Sequence, residues 1–215
     1  MRRRLGILAT AALLGLAQLQ TGCVAGVAAG GAATAGVLGA QERSFAQAAS
    51  DTKIRTQIND AWLRADERMY RLVSLQVWNG RVLVSGVVPD EDMRVTAVEK
   101  AWTAKGVKEV INEIRVGETG GAGAFAGDAW ITAQLNTKLT FDKKVNAVNY
   151  SIDTVHGVIY LMGTAQDERE LTRVIDHARN VSRVERVVSH VRVRGTGEQR
   201  PARPAVPENA AQTGA

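Results

Sequence analysis

The chain has 215 residues and a formal charge of +5, and three of its positive charges are Arg2, Arg3 and Arg4. Without them the side chains sum to about +2, which excludes the basic footprint of a nucleic-acid-binding protein. Cys23 is the one cysteine, so an intramolecular disulfide is excluded as well.

From the N-terminus, Arg2–Arg4 and the apolar stretch Leu5–Leu19 have the charge and length of a signal peptide, here residues 1–22. The apolar stretch is shorter than the roughly 20 residues a membrane-spanning helix needs. Leu19-Gln20-Thr21-Gly22-Cys23 resembles a bacterial lipobox, with small residues before the cysteine and Gln20 where leucine is usual. That resemblance implies diacylglycerol on Cys23, which becomes the first mature residue. Acyl chains contribute about 0.8 kcal/mol per buried CH₂, enough for a stable anchor when two or more are present. Val24 in place of aspartate implies, by analogy with enteric lipoprotein sorting, the outer membrane. Residues 23–49 then form a Gly/Ala-rich tether.

Slid against itself by 77 positions, the chain aligns Asp51–Val116 with Asp128–Val193 without a gap. Gly80 falls on Gly157, Gly86 on Gly163, and Asp90-Glu91 on Asp167-Glu168. The period exceeds the roughly 20–50 residues of solenoid repeats, so each copy is a small domain with its own core. The copies span 50–117 and 128–194, joined by a linker at 118–127 and followed by a disordered tail at 195–215 that holds three of the four prolines.

Each copy predicts the same elements. Ser50-Asp51 and Asp128 stand as helix N-caps, before the stripes Ile54, Ile58, Trp62 and Ile131, Leu135, Leu139. Alternating runs follow around Asn79-Gly80 and His156-Gly157, the signature of a hairpin, and Gly86 and Gly163 close the second strand. Asp90-Glu91 and Asp167-Glu168 open a second helix, with stripes Val95, Val98, Trp102 and Leu171, Val174, Ile175, Ala178. A last strand ends at Val116 or Val193. The fold class is α+β, helix–strand–strand–helix–strand, with two helices packed on a three-stranded mixed sheet.

The segments N-G-R-V-L-V-S-G and H-G-V-I-Y-L-M-G, each leading to an Asp-Glu helix and an x-V-x-x-V strand, resemble the BON domain. Two such domains behind a lipobox and a tether look like the dual BON-domain outer-membrane lipoproteins of the DolP type. Asn112–Arg115 and Asp128–Thr132 sharpen that match. The resemblance implies a periplasm-facing, non-catalytic protein that binds anionic phospholipid and supports envelope integrity. Its partners would be an anionic membrane and outer-membrane assembly or cell-division proteins.

A catalytic constellation is not expected. His156, His177 and His190 have no second histidine or cysteine at metal-ligand spacing, and Asp90-Glu91-Asp92 and Asp167-Glu168 have a helix-capping role. The linker glycines precede no Lys-Ser/Thr, so there is no phosphate loop. No small-molecule substrate, metal or cofactor is expected beyond the acyl chains on Cys23.

The copies differ on the first helix. On a wheel, Trp130, Gln134, Thr137 and Phe141 form a stripe away from the core, flanked by Lys138, Lys143 and Lys144; the first copy has Lys53, Gln57, Asp60 and Arg64 there. Exposed aromatics beside lysines suit the lipid interface. The family's lipid-binding helix is the same one, and Trp130 matches its tryptophan, whereas Phe141 and Lys138 come from the wheel alone. The same aromatic stripe also suits packing between the domains, or a protein-binding site. Other functional readings are a soluble, stress-induced periplasmic chaperone-like protein and an adaptor for an envelope protein complex.

Overall fold

The computed structural model describes residues 44–195; Cys23, the tether before residue 44 and the tail from 196 onward lie outside the described residues. The first copy runs α1 (Phe45–Ala65), α2 (Glu67–Leu72), β1 (Val73–Trp78), β2 (Arg81–Val88), α3 (Glu91–Trp102) and β3 (Glu109–Val116). The second runs α4 (Ala122–Phe141), a short 3₁₀ turn at Ala147–Asn149, β4 (Tyr150–Val155), β5 (Val158–Ala165), α5 (Glu168–Arg179) and β6 (Arg186–Val193). Each sheet has its second strand in the centre, antiparallel to the first and parallel to the third. The α+β class and the mixed three-stranded sheets are those expected from the sequence.

The helices cover one face of each sheet. In the first copy Ile54, Ile58 and Trp62 of α1 meet Val73, Leu75, Val77, Val82 and Val84, and the Trp62 indole N–H donates to the Ala97 carbonyl at 2.9 Å. In the second, Ile131, Leu135 and Leu139 meet Ile159 and Leu161. Asp90 and Asp167 cap α3 and α5, each accepting the main-chain N–H three residues on at 2.8 Å.

Four local expectations are corrected. Asp51 is no N-cap, because α1 begins at Phe45 and carries it mid-helix. Its buried carboxylate instead accepts the N–H groups of Asn79 and Gly80, both at 2.8 Å, and Asp128 likewise accepts those of His156 and Gly157 at 2.8 and 2.9 Å. The hairpin turn leaves two amides pointing outward, and the aspartate satisfies both with charge-assisted bonds. Second, α4 starts at Ala122, so residues 122–127 of the expected linker are helical. Third, Gly86 and Gly163 lie within β2 and β5 and do not end them; a Cβ at either would stand 2.3 or 2.0 Å from the carbonyl oxygen of Leu72 or Asn149. Fourth, α3 buries Met93, Ala97 and Ala101, leaving Val95 and Trp102 exposed, because the small alanines let the helix lie close to the sheet.

The second face of each sheet is also covered, by the other sheet. Trp78, Leu83, Val158, Tyr160 and Met162 are buried together, with Ile111, Val155 and Val188 packed around them. Burying each of the five contributes about 1.5–3 kcal/mol. Around this core Trp78 Nε1 donates to Thr164 Oγ1 at 3.0 Å, Arg81 donates to the His190 carbonyl at 2.9 Å, and Arg192 pairs with Glu109 at 3.1 Å. Glu113 meets His190 at 2.9 Å, and these are equivalent residues, 77 apart. Contact between equivalent positions, with β1 meeting β5 as β4 meets β2, is the reciprocity of a pseudo-twofold pair of sheets. The expectation of two separate cores is therefore incomplete: a third core joins them.

Between the sheets Asp153 accepts a hydrogen bond from Ser85 at 2.7 Å. Burial pushes its pKa above the usual carboxylate value of 3.8, against the pull of the Ser85 and Ser74 hydroxyls.

Two outcomes follow from these contacts. Asp51→Asn replaces one acceptor oxygen with a donor facing an N–H, and should destabilise the fold by about 2–3 kcal/mol in urea unfolding, with both copies melting in one transition. A raised folded pKa means the folded state holds the proton more tightly, so the stability from Asp153 is full below about 3.8 and is lost as pH rises through the folded pKa. Asp153→Asn should therefore raise the Tm at pH 7, with the difference closing towards about pH 4; a lower Tm at pH 7 would refute this account of the buried carboxyl.

Candidate functional site

Helix α4 packs its Ile131, Leu135 and Leu139 stripe inward, which turns the stripe of Trp130, Gln134, Thr137 and Phe141 away from the core. Trp130 is 45% exposed and Phe141 80% exposed. They share a face but stand 11 residues apart, about 16 Å along the axis. Neither belongs to the apolar cluster that joins the copies, which the sheet faces make.

The polar members of the stripe divide. Gln134 is half-buried, and its amide nitrogen has no hydrogen-bond partner among the described residues. Thr137 folds back on the helix, donating to the Ala133 carbonyl at 2.8 Å. Lys138 donates to the Asn180 carbonyl at 2.8 Å and so satisfies the C-terminal end of α5, where it also complements the helix dipole. The bond is exposed, so the ammonium stays at the surface while it holds the end of α5. Lys143 and Lys144 are exposed, but they open onto a separate concavity of about 580 Å³ with Asn146, Asp167, Arg169 and Arg173. The structure thus brings Trp130 and Phe141 onto one face, with Lys138 tied to the end of α5 and Lys143 exposed beside a concavity.

One cation beside Trp130 was not anticipated. The guanidinium carbon of Arg183, in the loop after α5, lies 6.0 Å from the centre of the Trp130 ring. A helix wheel cannot find it, because it comes from another part of the chain. Aligning the copies gives the signal: residue 183 corresponds to Gly106.

The end of α4 is held in place by Asp142, which accepts from His177 Nε2 at 2.7 Å and lies 3.7 Å from Arg173. The hydrogen bond from His177 holds the Asp142 carboxyl below the usual carboxylate range. Phe141 is therefore presented from a fixed helix end. The buried Glu170 has a similar structural use, accepting the N–H groups of Asn146 and Gln166 at 2.7 Å each.

The first copy also carries exposed aromatic surface, away from the positions of the α4 stripe. Trp102 is 52% exposed, and Tyr70, Leu63 and Val95 are also exposed. The second copy has Arg179, Ala147, Thr140 and Thr172 in their places. The first copy thus presents Tyr70 and Trp102 on α2 and α3, the second Trp130 and Phe141 on α4.

Comparison with known proteins agrees with the duplication. The family model of the BON domain matches twice, at residues 50–118 and 127–195. The chain is 31% identical over 182 residues to the outer membrane lipoprotein DolP of Haemophilus influenzae, covering 83% of this chain and 92% of that protein. It is 39% identical over 127 residues to an Anaplasma centrale protein named for the gshII 5' region, covering 59% of this chain and 84% of that one. It is also 31% identical over 134 residues to the 21 kDa hemolysin of Actinobacillus pleuropneumoniae, covering 61% of this chain and 67% of that protein. With two matched domains occupying most of its length, the chain belongs to the BON-domain family.

Proposed function

We propose that this is a non-catalytic, lipid-anchored protein of the outer membrane, facing the periplasm, which binds anionic phospholipid through α4 and supports outer-membrane integrity. The observation that carries the reading is Trp130, left 45% exposed on a helix that buries Ile131, Leu135 and Leu139, with Phe141 further along the same face. An exposed indole with a cation beside it suits the headgroup region, where tryptophan rings settle and positive charge meets lipid phosphate. The relationship to an outer membrane lipoprotein over most of its length supports the location. Cys23 then supplies the attachment point, and the anchor raises the local concentration of α4 at the bilayer, so that a weak surface contact suffices.

The rigid packing of the copies adds to this reading. A surface on α4 fixed to a single folded body keeps one orientation relative to the bilayer, and little conformational freedom is lost on contact.

Two measurements test the proposal. In sedimentation with phosphatidylglycerol vesicles, the chain from residue 23 onward carrying Cys23→Ser should bind without help from any acyl group. Trp130→Ala with Phe141→Ala should weaken that binding at least about tenfold, with unfolding free energy unchanged to within about 0.5 kcal/mol. Lys53→Ala, at the equivalent of Trp130, should bind as the parent does. Normal vesicle binding by the aromatic double variant would exclude this surface. In the native protein, intact mass should show a chain starting at Cys23 with added acyl mass; an unmodified chain would exclude the anchor.

A further inference from the structure

The copies part company at one backbone position in the left-handed region. The loops before β3 and β6 follow the same course: Lys108 donates its main-chain N–H to the Gly80 carbonyl at 2.8 Å, and Glu185 donates to Gly157 at 2.9 Å. The residues at the bend are Gly106, with φ +99°, and Arg183, with φ +71°. Glycine takes this left-handed conformation freely, whereas a side chain sets its Cβ against the carbonyl oxygen. The other positive-φ residues besides glycine, among those described, are Asn79 and His156, and both occupy hairpin turns. Arg183 has no such local reason. Strain of this kind persists where the side chain has a use.

Its surroundings indicate the use. Arg183 is exposed, has no ion-pair partner among the described residues, and lies over Trp130. The loop is pinned to the hairpin turn through Gly157, and the turn is pinned to α4 by Asp128, two residues before Trp130. One main-chain bond and one from the Asp128 carboxylate thus fix the arginine's backbone relative to the indole. In the first copy the same two positions are Lys53 and Gly106, so the aromatic and the strained arginine occur together or not at all.

The geometry points to Arg183 as the phosphate-binding residue of the membrane surface on α4, selecting the phosphodiester of an anionic glycerophospholipid. This inference rests on the membrane reading above. A guanidinium lying against an indole keeps its edge N–H groups free, and their fork matches two phosphate oxygens. With the indole at headgroup depth, that fork sits at the level of the phosphates. A headgroup with its own cation offsets this attraction, whereas one bearing only the phosphate charge does not, which makes the residue a determinant of lipid class.

The test uses the chain from residue 23 onward with Cys23→Ser, and compares Arg183→Gly and Trp130→Ala on phosphatidylglycerol and on pure phosphatidylcholine vesicles. Arg183→Gly restores the glycine of the first copy, so its Tm should equal or exceed the parent's. Its binding to phosphatidylglycerol should nevertheless fall about tenfold, with little change on phosphatidylcholine. If Trp130→Ala loses binding while Arg183→Gly binds as the parent does, the role of Arg183 is refuted and the membrane surface stands. If neither variant loses binding, both readings fail. Millimolar inorganic phosphate should leave the vesicle-bound fraction unchanged; equal competition would assign the arginine to soluble phosphate and overturn the inference.

Discussion

The burial of both sheets against each other governs the rest of this molecule. A three-stranded sheet with helices on one side has a bare second face, and a copy of about 66 residues is close to the lower limit for an independent core. Here the bare faces meet through Trp78, Leu83, Tyr160 and Met162, so β2 and β5 are covered on both sides. Hydrogen bonds and ion pairs around that core, from Trp78 to Thr164 and from Arg192 to Glu109, fix the register of one copy on the other. The price of this arrangement is that the sheet residues are committed to packing, and only the helices and the loops beside them remain to carry recognition.

Within that limit the two aspartates mid-helix act as a second constraint. Asp51 and Asp128 each join a helix to a hairpin turn, and the turn in turn holds the loop before the third strand. Three segments far apart in sequence are thereby fixed at one corner of each copy. The corner is identical in main-chain terms in both, so a change of side chain there alters the surface without altering the fold. That is the position at which Lys53 and Gly106 correspond to Trp130 and Arg183.

Much of this was legible in the sequence. The 77-residue register, the Asn79-Gly80 turn and the stripes of α1 and α4 specify the elements and their order. The outward orientation of Trp130 and Phe141 follows from helical rotation alone. The joining of the sheets was missed, although the runs Val82-Leu83-Val84 and Val158–Met162 are apolar without alternation, which is the mark of strands buried on both sides. The stripe of α3 was misjudged because Val95 and Trp102 outrank alanine in hydrophobicity, whereas close packing selected Ala97 and Ala101. The partner of Lys138 at Asn180 is not legible in a wheel, which gives direction only, because it depends on the tertiary fold.

The face-to-face sheets also give the molecule two opposite outer sides. With layers about 10 Å apart, the order helix, sheet, sheet, helix sets the two helical layers about 30 Å from each other. If α4 rests on a bilayer, α3 with Val95 and Trp102 belongs to the layer farthest from it. The aromatic surface of the first copy then stands clear of the lipid at a fixed height, within reach of a protein approaching from the aqueous side. Duplication followed by face-to-face packing has in this way given two similar modules helical layers that look in opposite directions.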